Sequence, residues 1–159
     1  MPRIVVILIF LITFQAIANT SDPQYICVKG FKARLRDLPD TNSQVIKTVD
    51  KFTPLKILET KQDWFKVSDK MDATAWVHHS VLSKKINCVQ ALNQGATRVS
   101  KAITSIPLEK KPEVYVNETF KIITNSESSL KVEDIHGHKF WLDSYSVWPK
   151  SKSEMKIQL

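Results

Sequence analysis

Short runs of alternating apolar and polar residues recur along the chain from residue 45 onward, and none has the period of an amphipathic helix. In Phe65-Lys66-Val67 the two apolar residues flank a lysine, as in a strand that buries one face. The predicted strands are 45–49, 55–58, 64–67, 74–77, 113–116, 120–123, 130–132 and 139–142. Polar turn clusters separate them at intervals of roughly ten residues, a spacing typical of small β-barrels and sandwiches. The pattern therefore predicts an all-β protein.

The runs form two sets in the same order, which predicts a tandem duplication. Three triplets recur 65 residues later: Lys56-Ile57-Leu58 as Lys121-Ile122-Ile123, Phe65-Lys66-Val67 as Leu130-Lys131-Val132, and Ala75-Trp76-Val77 as Phe140-Trp141-Leu142. Upstream, Cys27-Val28 matches Cys88-Val89 at an offset of 61. The two cysteines are thus expected at equivalent positions of the repeat. Trp76 and Trp141 are expected to fill the interior of each copy.

The N-terminus has the three parts of a secretory leader. Arg3 supplies a positive charge, an apolar run follows from Ile4 to Phe14, and Ala16-Ile17-Ala18 provides small residues at a cleavage site. An uncleaved membrane anchor is the alternative, but the apolar run is shorter than the roughly 20 residues that a spanning helix needs. We expect residues 1–18 to be a cleaved signal peptide, which leaves no stable membrane anchor and places the protein in the periplasm or outside the cell.

The remaining chain fits two small modules, residues 19–83 and 84–149, followed by a flexible tail at 150–159. The full chain carries 23 Lys and Arg against 16 Asp and Glu, a net charge of +7. The positive charge is spread along the chain and suits weak attraction to anionic polymers. No nucleic-acid-binding motif is present, so we expect no nucleic-acid partner.

The chain has only two cysteines, Cys27 and Cys88. In an oxidising compartment two cysteines predict one disulfide, which would stabilise small domains whose own cores are limited. Two buried free thiols remain the alternative. No pairing of either cysteine with a catalytic base is readable.

The first copy resembles the bacterial SH3 (SH3b) repeat. The resemblance is carried by Arg36-Asp37-Leu38-Pro39, by Asp63-Trp64-Phe65-Lys66-Val67, and by the segment from Ala75 to Leu82. The segment from Phe140 to Pro149 is similar to the close of a second module. Ala75 and Phe140 stand where the family usually has glycine, and Ser129 stands at the position of Trp64. The resemblance implies two tandem SH3-like small β-barrels, the second one divergent.

The resemblance also implies a binding module that recognises a peptidoglycan peptide or a protein partner. The expected groove in the first copy contains Trp64, Arg36, Pro39 and His78. Trp64 alternates with Phe65, so it faces outward if Phe65 faces the core; an exposed tryptophan suits recognition. Packing of Trp64 over an edge of the barrel is the alternative. A structural or inhibitory interaction protein without a small ligand is the competing function.

Metal and catalytic chemistry are not expected, and neither is a cofactor. His136 and His138 lie with Asp134 in a predicted turn, where exposed polar residues are ordinary. His78 and His79 are adjacent on a predicted strand, so their side chains are expected on opposite faces and unable to share an ion. No catalytic triad, paired buried carboxylates or nucleophile elbow is readable, which predicts a protein that is not an enzyme.

Overall fold

The computed structural model describes residues 23–92, 114–126 and 128–150, and these ranges form two antiparallel β-sheets. The all-β prediction is confirmed. The predicted signal peptide lies outside the described residues, as does the predicted tail apart from its first residue. No helix in the described ranges is long and apolar enough to cross a membrane.

The first sheet has seven strands in the order β3-β2-β6-β5-β4-β1-β7. Their bounds are β1 Tyr25–Val28, β2 Lys32–Arg36, β3 Val45–Asp50, β4 Pro54–Lys61, β5 Trp64–Ser68, β6 Thr74–His78 and β7 Leu82–Ser83. A single 3-10 turn, His79–Val81, connects β6 to β7. Three of these strands, β1, β2 and β7, are additional to the predicted ones.

The second sheet has five strands within the described residues, in the order β11-β10-β9-β8-β12. Their bounds are β8 Cys88–Ala91, β9 Thr119–Asn125, β10 Ser129–Glu133, β11 Lys139–Asp143 and β12 Val147–Trp148, with a 3-10 turn at Ser144–Ser146. The prediction of a strand at 113–116 is wrong for residues 114–116, the part that the structure describes. Val114 and Tyr115 are not in a strand, and Val116 and Asn117 form a turn in which Asn117 has a φ of 73°.

Each sheet buries one face, as the alternation predicts. In the first sheet the buried cluster comprises Ile26, Val28, Ala33, Leu35, Val49, Leu55, Val67, Ala75, Val77 and Leu82. Trp76 is not among them. Because its neighbours Ala75 and Val77 face the core, Trp76 points to the other face and is only half-buried. The expectation that Trp76 fills the interior is therefore wrong, and in the second sheet Phe140 and Leu142 are the core residues on either side of half-buried Trp141.

The two sheets repeat the same hydrogen-bonding register 65 residues apart. Lys66 pairs with Trp76 in the first sheet, and Lys131 pairs with Trp141 in the second. Left-handed backbone recurs as well: Phe52 has a φ of 68° and Asn117 a φ of 73°. Since such a φ is unusual for residues other than glycine, its recurrence at equivalent turns indicates the same backbone path twice.

The first strand of each sheet departs from the predicted alignment of the cysteines. Cys27 lies opposite Pro54, whereas the residue opposite Thr119, 65 positions after Pro54, is Gln90. The equivalent of Cys27 is therefore Gln90, and Cys88 is the equivalent of Tyr25. The predicted match of the two cysteines is wrong by two residues, because the lengths of the loops between repeats are not encoded in the strand pattern.

The cysteines are nevertheless bonded to each other, with a Cα–Cα distance of 6.0 Å, which confirms the predicted disulfide. Both are buried beside Phe52. Two further contacts join the sheets. The Oγ1 atom of Thr119 donates a 2.6 Å hydrogen bond to the carbonyl of Lys51, and the rings of Tyr25 and Trp148 meet edge to face at 5.4 Å. β7 ends at Ser83 and β8 begins at Cys88, around the predicted boundary between residues 83 and 84, which stays a prediction.

Candidate functional site

The outward face of β2, β6 and β5 carries most of the predicted site residues. Arg36 lies opposite Trp76 in the β2–β6 ladder, and Trp64 lies opposite His78 in the β5–β6 ladder. Trp76 and His78 are two residues apart on β6, so their side chains share a face. The structure thus brings Arg36, Trp64 and His78 to one face, with Trp76 between them. We call this surface the aromatic face: Arg36, Trp64, Lys66, Trp76 and His78.

Trp64 is on this face but is not exposed, since only 9% of its surface is accessible. Its ring meets the ring of His78 edge to face, with the centroids 5.2 Å apart. The packing alternative is therefore the one that the structure shows, and the expectation of an exposed Trp64 is wrong. The half-buried Trp76 offers the accessible aromatic surface instead.

Arg36 is engaged with the loop that follows its strand. Its Nη1 atom donates a hydrogen bond to the carbonyl of Ser43. The hydroxyl of Ser43 in turn lies 2.9 Å from the carbonyl of Leu38 and 2.7 Å from that of Asp40. Pro39 is half-buried inside this loop and does not lie on a strand of the aromatic face. Arg36 therefore positions the loop, while its charge remains at the edge of the face.

The remaining charge of the face is mainly positive. Lys66 is two residues after Trp64 on β5. It lies opposite Trp76 of β6 on one side and opposite Glu59 of β4 on the other. Lys61 is exposed and lies opposite Trp64 on β4. Cationic groups beside half-buried aromatic surface suit an anionic ligand that also has apolar parts.

The histidines at the end of β6 lie closer together than the strand pattern predicts. His78 is the last residue of the strand, and His79 begins the 3-10 turn, so the alternation stops between them. Their ring centroids are 4.6 Å apart. Donor atoms of Asp63, His78 and His79 all lie within 4.8 Å of one another. The expectation that His78 and His79 point to opposite faces is wrong. Asp63 was missed because its proximity depends on the pairing of β5 with β6.

The second histidine pair belongs to a structural turn. Asp134 accepts hydrogen bonds from the backbone N–H groups of His136 and His138, and its Oδ2 atom lies 2.9 Å from His138 Nδ1. Burial raises the pKa of Asp134, but these hydrogen bonds together hold it below its ordinary value of 3.8. Asp69 plays the same part in the first sheet. Burial raises its pKa, whereas Lys47 and two backbone amides outweigh that effect and lower it below 3.8.

The second sheet repeats the strands of the aromatic face but not its chemistry. Trp141 and Lys131 stand at the positions of Trp76 and Lys66. Ser129 replaces Trp64, and Asp143 replaces His78, opposite each other in the same register. The paired tryptophan and histidine are therefore confined to the first sheet.

These features define a small all-β protein whose distinctive surface is an aromatic and cationic sheet face. Residues 29–84, which contain this face, match the family described as the bacterial SH3 domain. This match confirms the predicted resemblance of the first copy to the bacterial SH3 repeat. The comparison with curated proteins finds no match.

Solved structures give a distant likeness. NlpC2 from Trichomonas vaginalis is 9% identical, with a TM-score of 0.37, over 82% of this chain and 49% of that one. NlpC1 from the same organism is 10% identical, with a TM-score of 0.38, over 88% and 50% of the respective chains. The chain thus spans about half the length of these two proteins. At such TM-scores the likeness supports no conclusion about fold or function.

Proposed function

We propose that the protein is an exported, non-catalytic binding module that recognises cell-wall peptide through the aromatic face of its bacterial SH3 domain. The observation that carries the proposal is the location of this face inside the part of the chain that matches the family. The proposal includes two tandem SH3-like barrels, at 19–83 and 84–149, behind a cleaved leader at 1–18.

The chemistry of the face fits the proposed ligand. Peptidoglycan peptides carry free carboxylates and methyl groups. Arg36 and Lys66 can attract the carboxylates, and the half-buried ring of Trp76 offers a rigid surface to the apolar groups. Trp64 supports the face from within the sheet, because it is buried against His78.

Export is supported by the disulfide and by the leader pattern. Disulfides persist in oxidising compartments and are rare where thiols are kept reduced. Both cysteines of this chain are in the bond between Cys27 and Cys88. The tandem arrangement is supported by the common register of the two sheets, in which Trp141 repeats the pairing of Trp76.

Sedimentation with purified peptidoglycan tests the proposal. The wild-type protein should enter the pellet in a saturable manner, and binding should weaken as salt screens the cationic groups. Lys66→Glu and Trp76→Ala should each reduce the bound fraction. The matched controls are Lys131→Glu and Trp141→Ala, which change the equivalent residues of the second sheet. Equal losses in both pairs, or no saturable binding by the wild type, would contradict the proposed face.

A protein partner is a second candidate, because the edge strand β3 exposes apolar side chains. Val45 and Ile46 on this strand are 40% and 50% exposed, and Leu38 in the preceding loop is 59% exposed. Among the described residues β3 is the last strand of its sheet, and its outer edge can receive a strand from a partner. Ile46→Lys should then abolish capture of the partner while leaving sedimentation with peptidoglycan unchanged.

A further inference from the structure

The turn that begins β5 and the turn that ends β6 bring three metal-binding side chains together. We propose that Asp63, His78 and His79 form a site for a divalent first-row transition ion such as Zn²⁺, Ni²⁺ or Cu²⁺. One donor atom from each residue lies within 4.8 Å of the other two. The site shares His78 with the aromatic face, but the proposal does not depend on the peptide-binding function.

The backbone around the three ligands is held in place from two directions. Trp64 and His78 are paired across β5 and β6, and the N–H of His79 donates a 2.8 Å hydrogen bond to the carbonyl of Asp63. The residue before Asp63, Gln62, has a left-handed φ of 50°, which closes the tight turn between β4 and β5. The ligands therefore lie on two segments whose separation is set by main-chain hydrogen bonds.

The side chains need only a small adjustment to hold an ion. Donor atoms around a tetrahedral ion bound at about 2.1 Å stand roughly 3.4 Å apart. The Oδ1 atom of Asp63 is already 3.5 Å from Nδ1 of His79, and both side chains are mostly exposed. Rotation of these two side chains can bring their donor atoms to that separation without disturbing the core.

The other contacts of His78 orient its ring as a metal ligand. Its Nδ1 atom lies 2.7 Å from the hydroxyl of Ser80. The same nitrogen accepts a 3.3 Å hydrogen bond from the N–H of Ser80. An ion on Nε2 therefore requires the tautomer in which Nδ1–H donates to the Ser80 hydroxyl instead, an arrangement common around metal-binding histidines. The ring of Trp64, whose centroid lies 5.2 Å from that of His78, restricts the imidazole further. Ser80 and Trp64 are positioning residues for His78.

The ligand set selects the class of ion. Two imidazoles and one carboxylate suit Zn²⁺, Ni²⁺ and Cu²⁺, whereas Ca²⁺ and Mg²⁺ prefer sites made of oxygen ligands. Three protein ligands also leave a coordination position for water or for a donor group of a bound molecule.

The second sheet supplies an internal comparison. The N–H of Ser144 donates a 3.0 Å hydrogen bond to the carbonyl of Ser128, which repeats the contact between His79 and Asp63. Ser128, Asp143 and Ser144 occupy the three ligand positions there, so the same backbone carries only one ionisable ligand. The proposed site is a property of the first sheet's side chains, since the backbone arrangement is present in both.

Titration calorimetry of the untagged protein with Zn²⁺ tests the site. The chain has four histidines, in the pairs 78–79 and 136–138. His78→Gln/His79→Gln and His136→Gln/His138→Gln therefore each leave two histidines. We expect saturable binding of a single ion by the wild type and by the second variant. The first variant should bind at least about tenfold more weakly. Ca²⁺ should not bind at this site.

The single variants Asp63→Asn and His79→Gln are measured in case the double variant does not fold, because both of these side chains are exposed. Each single variant should weaken Zn²⁺ binding. Emission from Trp64 gives a second readout. Bound Cu²⁺ should quench it, and Trp64→Phe should remove most of that quenching. Equal loss of affinity in the two double variants, or no saturable binding by the wild type, overturns the site. Neither result bears on sedimentation with peptidoglycan, which is measured without added metal.

Discussion

Cys27 and Cys88 are bonded to each other although they stand at different positions of the repeated unit. Cys27 lies opposite Pro54 in the first sheet. The counterpart of Pro54 in the second sheet, Thr119, lies opposite Gln90. The disulfide therefore does not join two copies of the same position of the repeat. It links two non-equivalent points where the sheets come into contact beside Phe52.

Removing the disulfide should destabilise the protein. Cys27→Ala/Cys88→Ala releases a loop of 61 residues in the unfolded chain, and the expected loss is about 2–4 kcal/mol in the free energy of unfolding. Urea denaturation followed by fluorescence measures this loss. A reductant should lower the stability of the wild type but not that of the double variant. Equal stability of the two proteins without reductant would show that the link contributes nothing.

Trp64→Ala should destabilise the fold, because the side chain is only 9% exposed and packs against His78. We expect a loss of about 2–4 kcal/mol from removal of so large a buried side chain. Ser129→Ala, at the equivalent position of the second sheet, is the matched control and should change stability by less than about 1 kcal/mol. If Trp64→Ala unfolds at the same urea concentration as the wild type, packing of Trp64 does not stabilise the fold. That result would favour a role for this tryptophan in recognition.

Asp69→Asn should reduce stability in a pH-dependent manner. The carboxylate accepts hydrogen bonds from the N–H groups of Met71 and Ala73 and pairs with Lys47 at 2.5 Å. Since the pKa of Asp69 is lowered from 3.8 by folding, its stabilising contribution is fully present above that value. The contribution is lost as the pH falls through the lower pKa of the folded state. The gap between variant and wild type, about 1–2 kcal/mol at neutral pH, should shrink in acid.

Thermal or urea unfolding measured between neutral and acidic pH checks this dependence. Asp72→Asn is the control in the same turn, because Asp72 is exposed and asparagine tolerates its left-handed φ of 58°. A stability gap for Asp69→Asn that stays constant with pH would contradict the assignment to the charged form of the carboxylate.

Thr119→Val should weaken the contact between the two sheets. The hydroxyl of Thr119 is buried and donates to the carbonyl of Lys51, and valine preserves the shape while removing that donor. The carbonyl is left without this partner, at an expected cost of about 1–2 kcal/mol. Thr124→Val on the same strand is the control, since Thr124 is exposed. Hydrogen exchange at the N–H groups of 51–53 locates the effect; unchanged protection there would argue against it.

The strands β3 to β6 and β9 to β11 follow from the sequence alone. Alternation of apolar and polar residues is a local property, because successive side chains of a strand point to opposite faces. It therefore identifies β5 and β10, for example, without knowledge of their neighbours. The recurrence of Lys66 and Trp76 as Lys131 and Trp141 likewise needs only a constant spacing. The bacterial SH3 resemblance likewise depends on short local segments, such as those from Asp63 to Val67 and from Ala75 to Leu82.

Tertiary structure decided which face of each strand is covered and which residues meet. The alternation separates Trp76 from Ala75 and Val77 but does not say that the small residues face the core. The buried state of Trp64 depends on the side chain opposite it in β6. Asp63 meets His78 and His79 only because β5 and β6 pair in one register. These relations join residues far apart in the chain, and their geometry is set by packing, which no local pattern records.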